Sequence, residues 1–123
     1  DVDMKFDPKF VRNLLFLYEE ADFAGVNEKE LFKFADLHNK SRRELLDTIA
    51  IMNKGKLVTN KIHYAGKTPM WIAEGSITDT GKDYLDKIKN PLVWKKTQKI
   101  LLSATKVTLQ SILSTAISVA ING

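Results

Sequence analysis

The twenty residues NKSRRELLDTIAIMNKGKLV, positions 39–58, carry the strongest local signals for the fold. Ser41 followed by Glu44 is a capping box, in which each side chain accepts a hydrogen bond from the backbone N–H of the other residue at a helix start. Apolar residues then recur at helical spacing until Gly55, a residue typical of helix ends. The stretch therefore predicts a capped helix that starts at Ser41 and ends at Gly55.

The same stretch puts positive charge at the unfavourable end of this helix. Lys40, Arg42 and Arg43 surround its start, where unpaired backbone N–H groups already make the local potential positive. Either these cations form a solvated face, or an anion outside the domain binds against them.

The flanking segments predict helices before this stretch and a hairpin after it. Asp7-Pro8 and Asn27 are N-cap signals for two earlier helices. After Gly55 the apolar period changes, so that residues 56–64 and 70–73 predict two strands joined by a turn at residues 65–69. A further amphipathic helix follows Ser76, and Asn90-Pro91 predicts the start of one last, long helix that runs towards Ile121.

The order of these elements predicts a mainly α fold with a small β-hairpin. We interpret residues 1–90 as a winged helix-turn-helix domain and residues 91–123 as a long C-terminal amphipathic helix that extends it. The length of 123 residues is sufficient for a hydrophobic core without metals or disulfides.

The segment GSITDTGKDYLDKIKNPLVWKKTQK, residues 75–99, resembles the closing part of a short, prophage-associated winged-helix family of unknown function. In that family a hairpin strand leads into an L/I-T-x-x-G-x-x-F/Y-L-D helix, then a V-W pair and a final helix. The matching positions are Ile77, Thr78, Gly81, Tyr84, Leu85, Asp86, Val93 and Trp94. The resemblance implies the fold and a phage context, and it implies no particular activity.

The charge distribution favours an anion-binding surface. Residues 1–37 hold 5 basic and 9 acidic side chains, whereas residues 38–72 hold 7 basic and 2 acidic side chains, a net charge of +5. In a winged helix-turn-helix the start of the third helix enters the major groove of DNA, and the hairpin contacts the neighbouring backbone. We therefore predict binding to double-stranded DNA, in a regulatory role, through Lys40, Ser41, Arg42, Arg43, Lys61, His63 and Lys67. The alternative is a phage or mobile-element module that binds a host or phage protein without binding DNA.

The last predicted helix has a wide apolar stripe that must be buried against its own domain or a second copy. We predict a homodimer that forms through Leu102, Leu109, Ile112, Leu113, Ala116 and Ile117. A membrane contact is less expected, because polar residues dilute the segment and its polar face has few cations.

Candidates for catalysis are weak. The chain has no cysteine, and His38 and His63 each lack a second ligand at metal spacing, so we predict no enzyme, no metal site and no cofactor. Glu28 and Glu30 are interpreted as a solvated helix face, and Trp71 and Trp94 as core anchors. The missing cysteines and the lack of a secretory signal pattern are compatible with the cytoplasm, where we expect the protein to act.

Overall fold

The computed structural model describes residues 6–122, so the outermost parts of the predicted domains, residues 1–5 and residue 123, lie outside the described residues. This part of the chain is mainly helical, with one small antiparallel sheet of two strands. In chain order the elements are α1 (Pro8–Ala21), a 3-10 turn (Asp22–Ala24), α2 (Glu28–Leu37), α3 (Arg42–Lys54), β1 (Ile62–Ala65), β2 (Thr68–Ile72), α4 (Asp79–Ile88), α5 (Pro91–Leu101) and α6 (Leu109–Asn122).

The predicted helix starts are confirmed, because each has the capping side chain that the sequence indicated. Asp7 accepts hydrogen bonds from the first amides of α1, and Asn27 forms a capping box with Glu30 at α2. Ser41 caps α3, and Asn90 caps α5, where Pro91 occupies the first turn. The chemistry of helix caps is local, which explains why the sequence alone located these four starts.

The core is formed by the inward faces of all six helices and the hairpin. Its largest fully buried side chains include Phe10, Leu14, Leu15, Tyr18, Leu31, Leu45, Ile49, Met52, Leu85, Ile88 and Ile112. Helix α4 packs on α1 and α6, while α3 packs on α2 and the hairpin. The basic third helix and the hairpin therefore lie against each other.

The motif residues Thr78 and Gly81 join α4 to the loop after α3. The hydroxyl of Thr78 donates to the carbonyl of Lys56 at 2.6 Å and accepts from the amide of Gly81 at 2.9 Å, which caps α4. Gly81 itself is buried against the carbonyl of Leu57, with which any added Cβ would collide. A glycine is required here for close backbone approach.

The predicted strand over residues 56–64 is only partly correct. Helix α3 ends at Lys54, and the left-handed conformation after it falls on Lys56 (φ 63°) and not on Gly55 (φ −78°). Val58 makes only an isolated bridge to Ile77, and regular pairing begins at Ile62. The apolar alternation in this segment reflects burial of Leu57 and Val58 against the core, not a continuous strand.

The predicted single helix from Leu92 to Ile121 is wrong, because the chain turns back between residues 101 and 109. Helices α5 and α6 pack on each other, and residues 102–108 connect them. At the start of α6, Thr108 and Ser111 exchange hydrogen bonds between side chains and amides at 2.8 and 3.1 Å. The hydroxyl of Tyr84 also donates to the carbonyl of Leu109 at 2.7 Å, which fixes this start on α4.

Candidate nucleic-acid interface

An acidic residue, Glu44, lies in the first turn of α3 and offsets part of the positive charge there. Ser41 Oγ accepts from the amide of Glu44 at 3.1 Å, and Glu44 Oε1 accepts from the amide of Ser41 at 3.0 Å, so the predicted capping box is confirmed. The hydrogen bond from the backbone amide of Ser41 to the Glu44 carboxyl, together with the Ser41 hydroxyl, holds the pKa of Glu44 below its ordinary value. The Glu44 carboxylate is thus ionised and lies among the cations that the sequence placed at this helix end.

Lys40 is bound within the domain. Its Nζ lies 2.6 Å from Asp7 Oδ2 and 3.9 Å from Glu44 Oε2, and only 18% of the side chain is exposed. Partial burial acts to raise the pKa of Asp7, but the hydrogen bond and charge of Lys40, with two backbone amides, outweigh it and lower that pKa. Lys40 therefore joins the turn before α3 to the start of α1.

Arg42 connects α3 to the hairpin. Its guanidinium lies 4.8 Å from the ring centroid of Phe32, and its Nη2 donates to the backbone carbonyl of Met70 in β2. Arg42 is nevertheless exposed to solvent. Because a guanidinium has five N–H donors, Arg42 can hold Met70 and still donate to a further acceptor.

Arg43 extends into solvent next to this connection. Its side chain is 74% exposed, and its Nε lies 3.3 Å from Asp47 Oδ2, one helical turn further along. Exposed pairs of this kind contribute little free energy. A phosphate or a base edge could therefore replace Asp47 as the partner of Arg43 at small cost.

The hairpin presents His63 and Trp71 on its outward face. The register pairs these two residues across the strands, and their rings stack at 3.7 Å between centroids with 5° between planes. Trp71 is 48% exposed, whereas Trp94 is buried. The prediction of a core anchor is thus confirmed for Trp94 and wrong for Trp71, because the next pair, Ile62 with Ile72, faces the core instead.

The two predicted lysines of the hairpin are exposed. Lys61 directly precedes β1, two residues before His63, while Lys67 lies in the turn beside Gly66. The positive φ of Gly66 (63°) suits this turn. The structure thus brings Lys61, His63 and Lys67 onto one hairpin, next to Arg42 and Arg43.

Glu28 holds the base of the hairpin, a role that the sequence did not indicate. Its Oε2 accepts from the amide of Ile72 at 2.8 Å, so this side chain is not simply a solvated acid. Its predicted companion Glu30 belongs to the capping box of α2. The sequence could not predict this contact, because the partner of Glu28 is a backbone amide 44 residues away and a backbone amide has no residue-specific signal.

Asn60 is a second residue that the sequence reading missed. It is fully buried, accepts from the Tyr18 hydroxyl at 2.7 Å, and donates to the carbonyls of Val26 and Ala73 at 3.3 and 3.1 Å. Asn53 donates to the backbone carbonyl of Asn60. The available signal was an amide residue in the middle of the segment predicted as a strand, because a polar side chain that is buried there must find hydrogen-bond partners.

The six residues predicted for dimerisation divide into two groups. Ile112 and Ala116 are fully buried in the core of this chain, and Leu109 and Leu113 pack partly buried against it. Leu102 is 86% exposed and Ile117 is 36% exposed. The predicted stripe is therefore not one free face, because the break between α5 and α6 separates its members.

Within residues 6–122, no cluster of three or more His, Cys, Asp or Glu side chains that could hold a metal ion is found. His38 lies against Phe34, with 4.3 Å between the ring centroids. In the same part of the chain, no helix combines the length and the apolar character needed to cross a membrane.

Comparisons with known proteins give one match. No curated protein and no solved structure matches this chain. A family model described as "Hypothetical protein (DUF2513)" matches residues 5–107, which span α1 to α5 and end before α6. The prediction of an uncharacterised family is confirmed: the chain belongs to the DUF2513 family of hypothetical proteins.

Proposed function

We propose that this chain is a winged helix-turn-helix protein that binds double-stranded DNA through α3 and the hairpin. The observation that carries the proposal is the Arg42–Met70 hydrogen bond, which joins the basic start of α3 to the hairpin. We call the resulting area the α3–hairpin surface and define it as Arg42, Arg43, Lys61, His63 and Lys67. Cations clustered on one face are the electrostatic footprint of nucleic-acid binding.

The residues of this surface have different roles in the proposal. Arg43 contacts base edges or phosphates in the major groove, since its exposed pair with Asp47 is easily exchanged. Lys61 and Lys67 contact phosphates beside the groove. Lys40 and Ser41 position α3 from within the domain, because their side chains already bind Asp7 and the amide of Glu44.

The test is fluorescence anisotropy with a labelled duplex and an Arg43→Ala, Lys67→Ala double variant. We expect affinity at low salt to fall about tenfold or more and the salt slope to decrease by about two, because two phosphate-reaching cations are lost. The matched control is Lys87→Ala with Lys95→Ala, which removes the same charge from exposed positions on α4 and α5. Equal losses in both double variants would show that only net charge matters and would refute the proposed site.

The homodimer remains part of the proposal, with a smaller interface than the sequence indicated. Leu102 and Ile117 are its exposed predicted members, and Ile121 (76% exposed) lies one turn after Ile117. Leu102→Asp with Ile117→Asp should convert a dimer to a monomer in light scattering. Leu37→Asp, at an exposed position on α2, is the control and should leave the mass unchanged. An identical mass for wild type and the Leu102/Ile117 variant contradicts the dimer.

The same exposed apolar residues favour the second candidate, a module that binds a host or phage protein. Salt separates the two functions. With about four phosphate contacts per chain, DNA affinity should fall roughly a hundredfold between about 50 and 200 mM salt. An apolar protein contact should hardly change over this range. The prophage association and the cytoplasmic location belong to both versions of the proposal and rest on the sequence resemblance and composition.

A further inference from the structure

The stacked pair His63–Trp71 is the most unusual part of the hairpin. A stack of 3.7 Å with 5° between planes covers one face of the indole, yet 48% of Trp71 remains exposed. Tyr64 and Met70 of the same hairpin are also about half exposed, at 52% and 45%. Large apolar side chains that gather on an exposed hairpin indicate a contact surface.

The backbone on both sides of Trp71 is fixed to the helices. The carbonyl of Met70 accepts from Arg42 of α3, and the amide of Ile72 donates to Glu28 of α2 at 2.8 Å. His63 restrains the ring itself. Because the indole is already held in place, a ligand that stacks on it has little side-chain entropy to overcome.

The surroundings of the pair are cationic. The exposed Lys61 lies two residues before His63, Lys67 lies in the turn, and Arg43 extends from the neighbouring helix. Aromatic rings that stack on bases, beside cations that follow the phosphate backbone, are the combination with which proteins bind single-stranded nucleic acid. Paired bases inside a duplex cannot offer a free face to such a ring.

We propose that the His63–Trp71 pair is a stacking site for an unpaired base of single-stranded DNA that adjoins a duplex. This inference rests on the proposed function, because it takes the hairpin to be a DNA-contacting element. Arg43 and the lysines hold the duplex, and the indole of Trp71 stacks with the first unpaired base beyond it. The preferred substrate is therefore a duplex with a single-stranded tail, not a continuous duplex.

The test compares a short labelled duplex with the same duplex carrying a single-stranded thymidine tail of a few nucleotides, in low salt. Wild-type protein should bind the tailed DNA at least about fivefold more tightly, in line with one stacked base. Trp71→Ala should lose this preference while keeping duplex affinity within about twofold, and Trp71→Phe should retain part of it, because a ring face remains. Thermal melting by circular dichroism, together with the emission of the buried Trp94, reports whether each variant is folded.

Tryptophan emission gives an independent readout, since the chain has 2 tryptophans, Trp71 and Trp94. Tailed DNA should quench the emission of the wild type and leave that of Trp71→Phe unchanged. Equal affinity for the two DNAs, or a preference that survives in Trp71→Ala, overturns the stacking site while leaving duplex binding intact. Anisotropy that shows no binding of either DNA refutes the proposed function, and the stacking site with it.

Discussion

Replacement of Asn60 by leucine should be among the most destabilising single changes in this domain. The side chain is 0% exposed, and its amide holds the Tyr18 hydroxyl and the carbonyls of Val26 and Ala73. Burial raises the pKa of Tyr18, so its hydroxyl stays protonated and needs an acceptor. Leucine has the same number of side-chain heavy atoms and the same branching at Cγ, but it can satisfy none of these three groups.

The magnitude follows from the three hydrogen bonds. A net loss of about 1 kcal/mol for each, with added cost for groups left unpaired in the core, gives about 3 to 4 kcal/mol. That is a large part of the free energy of unfolding of a domain, which is typically about 5 to 15 kcal/mol. Tyr18→Phe removes one partner and should cost about 1 to 1.5 kcal/mol.

Urea denaturation followed by circular dichroism measures both values and their coupling. The double variant should be about 1 kcal/mol more stable than the sum of the single losses predicts, because both single changes break the same bond. Tyr64→Phe is the control, since it removes the same atom from a residue that is 52% exposed, and it should stay within about 0.5 kcal/mol of wild type. A cost for Asn60→Leu below about 1 kcal/mol, or strict additivity with Tyr18→Phe, would refute the reasoning.

Two further predictions concern the joints that hold the helices. Gly81→Ala should destabilise by about 2 kcal/mol or more in urea denaturation, because the new Cβ meets the carbonyl of Leu57. Gly55→Ala is the control, because Gly55 has a φ of −78° and a new Cβ would meet only the movable side chain of Leu109, at 3.1 Å. It should cost less than about 1 kcal/mol. Equal costs for Gly81→Ala and Gly55→Ala would contradict the close contact between Gly81 and Leu57. The pKa of Asp7 is lower in the folded protein than its ordinary value of 3.8. The Asp7 carboxylate therefore stabilises the folded state fully at pH values above 3.8, and this stabilisation is lost as the pH falls through the folded-state pKa. Asp7→Asn should therefore lower the free energy of unfolding near neutral pH and weaken its acid dependence; an unchanged acid dependence would contradict the role of the Lys40 pair.

The sequence predicted features that depend on neighbouring residues and missed those that depend on distant ones. Caps such as Asp7, Asn27 and Ser41 act over three residues, so their chemistry can be read directly. The break between α5 and α6 was hidden because apolar residues recur through it, and the Tyr84 hydroxyl that fixes α6 comes from another helix. Apolar period alone cannot distinguish a continuous helix from two helices that bury their faces on the same core.

The sequence predicted the positive charge of the candidate surface but not the partners that its cations bind. Lys40 and Asp7 are 33 residues apart, and Arg42 binds a backbone carbonyl, which leaves no trace in residue type. Trp71 lies between the apolar residues Met70 and Ile72, yet the hairpin register turns it outward, whereas Trp94, which is followed by two lysines, is buried. Tertiary packing determines side-chain partners of this kind, and local sequence patterns do not reveal them.

The positive charge at the start of α3 is less free than its sequence suggests. Lys40 is paired with Asp7, Arg43 with Asp47, and Glu44 stands ionised at the cap. By contrast, the exposed Lys61 and Lys67 lie on a hairpin whose base is fixed by Glu28 and Arg42. An approaching phosphate must displace an intramolecular carboxylate to bind Lys40 or Arg43, whereas Arg42, whose partner is a backbone carbonyl, keeps donors for a further acceptor. At the hairpin a phosphate meets the exposed Lys61 and Lys67 directly, so the hairpin should contribute more to phosphate binding than the carboxylate-paired cations of α3 do.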